Sequence, residues 1–142
     1  MNGNAELLNF IYQNSQMGAE TMEQFMGMTK DEEFLGFLGK QQEGYRNFHK
    51  KAKQMLCENG FDEKGLGTFE KLRTYLMINV QTMADKSVSH MAEMLIQGST
   101  MGINDAIKKV REYPDADPKS VKLMEELQNF EEKSLEKLKG FL

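Results

Sequence analysis

The residue pair closest to a metal-binding spacing is His90 and Glu93. Three residues apart on a helix, an imidazole and a carboxylate lie on one face and can share an ion. Counting helix levels outward from the turns brings Glu20 and Glu23 toward them from the first helical segment. The same counting offers Glu125 or Glu126 from the last segment. A mixed carboxylate and imidazole set of this kind suits Fe, Mn or Zn. The plainer reading makes His90 a polar core residue bonded to a neighbouring carboxylate or backbone group, with the glutamates on solvated flanks. The plainer reading is the expectation, so no cofactor is expected, and the metal site is the alternative.

The other reactive side chains carry less. His49 stands beside Lys50 and Lys51 and is expected at the surface. Cys57 is the single cysteine, which excludes an intrachain disulfide. It is expected to be a small buried hydrophobe, since its neighbour Glu58 does not favour a thiolate. Twelve methionines raise the question of Cu(I), which binds thioethers. Met17, Met22, Met26, Met83, Met91, Met94 and Met101 nevertheless fall at core spacing, so packing is the expectation. Met26 and Met28, near the first turn, would suit an adaptable partner groove. Gly65-Leu66-Gly67 lacks the third glycine, the lysine and the preceding strand of a phosphate loop.

Helices must position all of these residues. Leu7, Leu8, Ile11, Met22, Phe25 and Met26 give one apolar stripe over about 5–26, with Asn4 as the expected N-cap. Thr29 and Glu32 have capping-box spacing and open a helix over about 30–58, which Asn59-Gly60 closes. Its inner face runs from Phe34 through Phe37, Leu38, Tyr45 and Ala52 to Leu56. A third helix is expected from Thr68, carrying Phe69, Leu72, Leu76, Val80, Met83, Ser87, Met91, Met94 and Leu95 at helical spacing, mostly intervals of three and four. Continued to Tyr113 it would measure about 69 Å, against about 44 Å for the second. A break or bend is therefore expected near Gly98 to Gly102, giving 68–98 and a continuation over 103–112. Tyr113 to Pro118 is a stop, with Asp117 as cap and Pro118 at the first helical position of a helix over 118–140.

Short links imply antiparallel neighbours, so the expected fold is all-α, an antiparallel up-down-up-down four-helix bundle forming one domain over 1–142. The composition agrees, with 142 residues, 39% apolar, 28% charged and two prolines close together. A net charge of −4, with scattered basic residues, argues against nucleic acid. No apolar run approaches membrane-spanning length, and the N-terminus carries no signal pattern, so a cytoplasmic location is expected.

Two segments carry a resemblance: Lys86-Ser87-Val88-Ser89-His90-Met91-Ala92-Glu93-Met94-Leu95-Ile96-Gln97-Gly98-Ser99, and Phe130-Glu131-Glu132. With the helix order, they make the chain resemble the small ferritin-like four-helix bundles of bacteria. That resemblance implies two metals inside the bundle, held by one Glu from each of two helices and a Glu-x-x-His pair from each of the others. The residues depart from it. Glu43, Glu125 and Glu131 are followed three positions on by Arg46, Gln128 and Ser134. The positions three before His49 and His90 are Arg46 and Ser87. Di-iron and oxygen chemistry therefore does not carry over. The expected function is non-catalytic, through self-association as a dimer or through a protein partner, with 98–113 as a docking element. The alternative is the atypical metal site at His90 and Glu93. An apolar small molecule in a methionine-lined core is a third reading.

Overall fold

Asn2, one turn ahead of the apolar stripe, starts the first helix. Its side chain accepts from the amides of Asn4 and Ala5 at 3.0 and 3.4 Å. The computed structural model describes residues 2–63 and 70–142, in 70–73, 75 and 78 the backbone only. Five helices lie in that range, with no strand among the described residues: α1 Gly3–Met26, α2 Glu32–Glu58, α3 Glu70–Gln81, α4 Val88–Glu112 and α5 Pro118–Lys139. Thr68, Phe69 and the Gly65-Leu66-Gly67 turn lie outside the described residues, as does the side chain of Leu72.

Two N-caps differ from the sequence expectation: Asn2 rather than Asn4 caps α1, and α2 starts later than Thr29. Asp31 rather than Thr29 caps α2, accepting from Phe34 N at 2.8 Å, while Thr29 Oγ1 receives Asp31 N. Asn59-Gly60 does close α2. Gly60 takes φ +72, Gly60 N bonds Cys57 O, and Phe61 N bonds Leu56 O. That pairing needs a left-handed residue, which glycine adopts without a Cβ clash. At α5, Asp117 is the N-cap and Pro118 the first helical residue, as expected, but the Asp117 side chain makes no cap bond to its own helix. Asn4 reaches across instead. Its Nδ2 donates to Asp117 Oδ2 and its Oδ1 accepts from Asp117 N. The N-termini of α1 and α5 are thus tied by one side chain 113 residues away in sequence.

The expected break at Gly98 to Gly102 is not there. Both glycines lie inside α4, and the chain breaks earlier, between Gln81 and Val88. Asp85 Oδ1 accepts from Ser87 N at 2.9 Å, and Ser87 Oγ accepts from His90 N at 3.2 Å. Asp and Ser offer the backbone these local bonds in competition with a continuous helix.

That shift changes the topology. Short turns make α1 with α2, and α4 with α5, antiparallel pairs. Asn4 meets Asp117 and Asn14 meets Glu131, so α1 and α5 advance in the same direction. Phe34 meets Phe141 and Phe48 meets Phe130, so α2 opposes α5. The four long helices therefore run up, down, down and up. The up-down-up-down order fails because the chain between Glu58 and Val88 returns to the end where α2 begins. The core between them includes Leu7, Ile11, Leu38, Leu56, Met124 and Leu127, none with measurable exposure. Truncating such residues to alanine costs about 2–5 kcal/mol each. Cys57 is exposed rather than buried, one position beyond Leu56 and rotated off the inner face. No helix among the described residues is long and apolar enough to cross a membrane.

Candidate functional site

Along α5, Met124, Leu127, Glu131, Ser134 and Leu138 are all buried at alternating intervals of three and four. Glu131 thus occupies a core position, at 2% exposure, and is the one buried charged residue among those described. A buried carboxyl must be hydrogen-bonded or neutral, and this one is partnered from two helices. Asn14 Nδ2 of α1 donates to Oε1 at 3.2 Å, and the Tyr45 hydroxyl of α2 donates to Oε2 at 3.0 Å. The Ser99 hydroxyl of α4 bonds the Tyr45 phenol in turn. Gly102 of α4 makes room, because a Cβ there would stand 2.7 Å from Glu131 Oε1.

Burial pushes the Glu131 carboxyl up to about 7. Tyr45 and Asn14 pull it down by bonding the ionised form, and the charge of Asp105 pushes it up again. Burial first, then the Glu131 charge, holds the Tyr45 phenol well above its usual range, so it remains a donor. Glu131 consequently sits near half-protonation at neutral pH. It can accept a cation's hydrogen bonds as a carboxylate, or donate one as an acid.

The carboxyl does not end in solid core. It lines an inner cavity of about 60 Å³ with Asn14, Tyr45, Ser99, Met22 and Phe25. An outer cavity of about 550 Å³ adjoins it, lined by Met83, Asp85, His90, Met101 and Asp105 among others. Asn14, Met17, Leu76, Met94 and Gly98 belong to both walls. Core-spaced methionines therefore line a pocket as well as fill the core.

The sequence-predicted set is only partly brought together. His90 is half-buried and faces the outer cavity. Glu20 is half-buried, whereas Glu23, Glu93, Glu125 and Glu126 are exposed. The α1–α4 register puts Glu23 level with Glu93 to within a turn. Glu125 and Glu126 do not join them, because α5 begins at the Asn4 end and His90 stands at the other. Their level lies about 27 Å from His90 at the helical rise per residue. No group of three or more His, Cys, Asp or Glu able to hold a metal occurs among the described residues.

His49 is half-buried rather than on the surface. Its ring stacks on Tyr12 at 4.0 Å, and Nδ1 donates to Tyr12 O at 3.0 Å. Met26 and Met28 are half-buried and pack against the core, as core spacing predicts for Met26. The large apolar side chains exposed among the described residues are Met101 and Leu142, at 48% and 59%.

Glu131 was visible to sequence reasoning only within Phe130-Glu131-Glu132 and as an incomplete Glu-x-x-His pair. The missed signal was its place in the heptad-like run from Met124 to Leu138, where a charge is costly unless it is paired or hydrogen-bonded. No protein-family model matches the chain, and neither does any characterised protein or solved structure.

Proposed function

We propose that the chain is a non-catalytic helical bundle of ferritin-like type whose working part is the pocket beside Glu131, and that it binds a small organic molecule there. One observation carries this reading: a buried carboxyl, held by Tyr45 and Asn14, faces a methionine-lined cavity. Ligand pockets are mostly apolar walls with a few convergent polar groups, and methionine adapts its shape to an occupant. The ferritin-like reading is supported by four long helices with one long crossover, between α2 and α4, which is the connection that such folds use.

The test uses Gly98, which lies in both cavity walls. A Cβ built there meets nothing within 4 Å. Gly98→Leu should fill the junction between the cavities without straining the helix. A panel of small apolar alcohols, acids and amines is screened by thermal unfolding. Ligands that bind only the folded state raise Tm, and Gly98→Leu should abolish the rise while keeping the parent fold. If no compound raises Tm, or if the rise survives in Gly98→Leu, the pocket is not the site.

A second reading keeps the metal expectation: Fe, Mn or Zn at His90 and Glu93 with Glu20 or Glu23. Its support is the level match of Glu23 with Glu93. Elemental analysis of protein isolated without chelator tests it, and an absence of metal after incubation with all three ions overturns it. Self-association is a separate proposal, supported by the exposure of Met101 at the cavity rim. A strict monomer by light scattering at high concentration overturns it.

A further inference from the structure

We infer that the occupant of the Glu131 pocket is a protonated amine with an apolar body, its ammonium head against Glu131 and its body in the outer cavity. The inference rests on the ligand-binding reading above and adds the chemical class.

The charge of the walls supports it first. Among the described residues lining the two cavities, Glu131, Asp85 and Asp105 are acidic, His90 is the single imidazole, and no lysine or arginine is present. A cleft lined by one sign of charge between apolar walls concentrates the opposite ion. An anionic ligand would meet three carboxyl groups and, among the described residues, no fixed cation.

Chemistry at the inner end supports it next. An ammonium carries three donors and no acceptor. Glu131, Asn14 and Ser99 bring oxygen acceptors to one small chamber. The Tyr45 ring and the thioethers of Met17 and Met94 supply polarisable surface that favours a cation's flank. A neutral alcohol could use the same hydrogen bonds but would leave the ionised carboxylate without a counter-charge in a dry site.

Size divides the ligand in the same way. The inner chamber of about 60 Å³ accommodates a head group and a carbon or two, far less than a ring-sized body. The outer cavity of about 550 Å³ takes an aliphatic or aromatic portion. A primary amine on a short hydrocarbon fits both.

Two probes differing only in the head group test the class: n-hexylamine and 1-hexanol. The full chain is labelled with ¹³C at the methionine methyls, so that Met17, Met22 and Met94 report occupancy. At pH 8, hexylamine should shift these signals saturably and bind at least about tenfold more tightly than hexanol, as expected for a hydrogen bond to a charged group. Glu131→Gln should reduce the amine to the alcohol's affinity. Asp105→Asn, at the half-buried rim, should weaken the amine about two- to threefold and leave the alcohol unchanged. Lowering the pH to 6 should weaken the amine, since Glu131 takes up a proton while an alkylamine keeps its own, as lysine does near 10.4. The groups facing Glu131 there are Tyr45 from α2, Asp105 from α4 and the uncharged Asn14 from α1. Equal affinities for the two probes, or an amine preference that survives both substitutions, overturns the amine class and leaves the ligand site standing. No methyl shift with either probe overturns both.

Discussion

The Tyr45 hydroxyl of α2 donates to Glu131 Oε2 of α5 at 3.0 Å, inside the protein and opposite the Asn14 amide on Oε1. Three helices thereby converge on one carboxyl, and a fourth clears space for it at Gly102. A polar group so placed specifies how the helices pack only while every partner is in position. The arrangement fixes the level of α5 against α1 and α2, and it sets one acid at the wall of a pocket.

That acid makes stability depend on pH in an unusual direction. Folding raises the Glu131 carboxyl from 4.5 to about 7, chiefly through burial. Between those values the folded chain holds a proton that the unfolded chain has released. Its contribution is therefore most favourable at or below about pH 4.5 and is lost as pH rises through about 7, by up to about 3 kcal/mol. Ordinary paired carboxylates behave oppositely, so the comparison must be with Glu131→Gln. Urea unfolding of both proteins should show the variant gaining relative stability from pH 5 to pH 8. A difference independent of pH contradicts the assignment.

Gly102 and Gly98 offer a matched pair on one helix. A Cβ at Gly102 meets Glu131 Oε1 at 2.7 Å, whereas one at Gly98 meets nothing within 4 Å. Gly102→Ala should destabilise by about 1–3 kcal/mol through overpacking. Gly98→Ala should stabilise by up to about 1 kcal/mol through helix propensity. Chemical denaturation reads both, and equal effects would mean that the carboxyl is free to move aside.

Asn4 joins two helix starts. Asn4→Ala removes its bonds to Asp117 and leaves Asp117 N without its acceptor. The expected loss is about 1–2 kcal/mol, the magnitude of a helix N-cap. Hydrogen exchange should rise first in the opening turn of α5. Unchanged protection there contradicts the tie.

Much of the fold was legible because helical periodicity is a local signal. The apolar stripe of α1, the inner face of α2 and the stop at Pro114 and Pro118 all follow from spacing and backbone chemistry. The topology was not legible, for a specific reason. Two glycines in Gly98 to Gly102 looked like the weak point, while Asp85 and Ser87 broke the chain through side-chain bonds to local amides. Moving the break by about four turns reverses the direction assigned to α5, and that error carried Glu125 toward His90. The pocket was hidden for another reason. Glu131, Asn14, Tyr45 and Ser99 come from four helices, and no local pattern joins them.

Cys57 gives a direct test of the α2 surface. It is exposed, one residue past the fully buried Leu56. A thiol reagent should label it in the native protein at a rate close to that of the unfolded chain. Cys57→Ser should change stability by less than about 0.5 kcal/mol, as for surface substitutions generally. Protection from labelling in the native state would place that turn of α2 inside.

The central claim is that Glu131 is an interior acid facing a pocket. A ¹³C NMR titration of the glutamate side-chain carboxyls, with the Glu131 signal assigned by its absence in Glu131→Gln, tests it most directly. The account predicts a midpoint near 7 for that signal, and a higher one in Tyr45→Phe, where a hydrogen bond to the ionised form is lost. A midpoint near 4.5 for Glu131, unmoved by Tyr45→Phe, would show a solvated carboxylate and contradict the account.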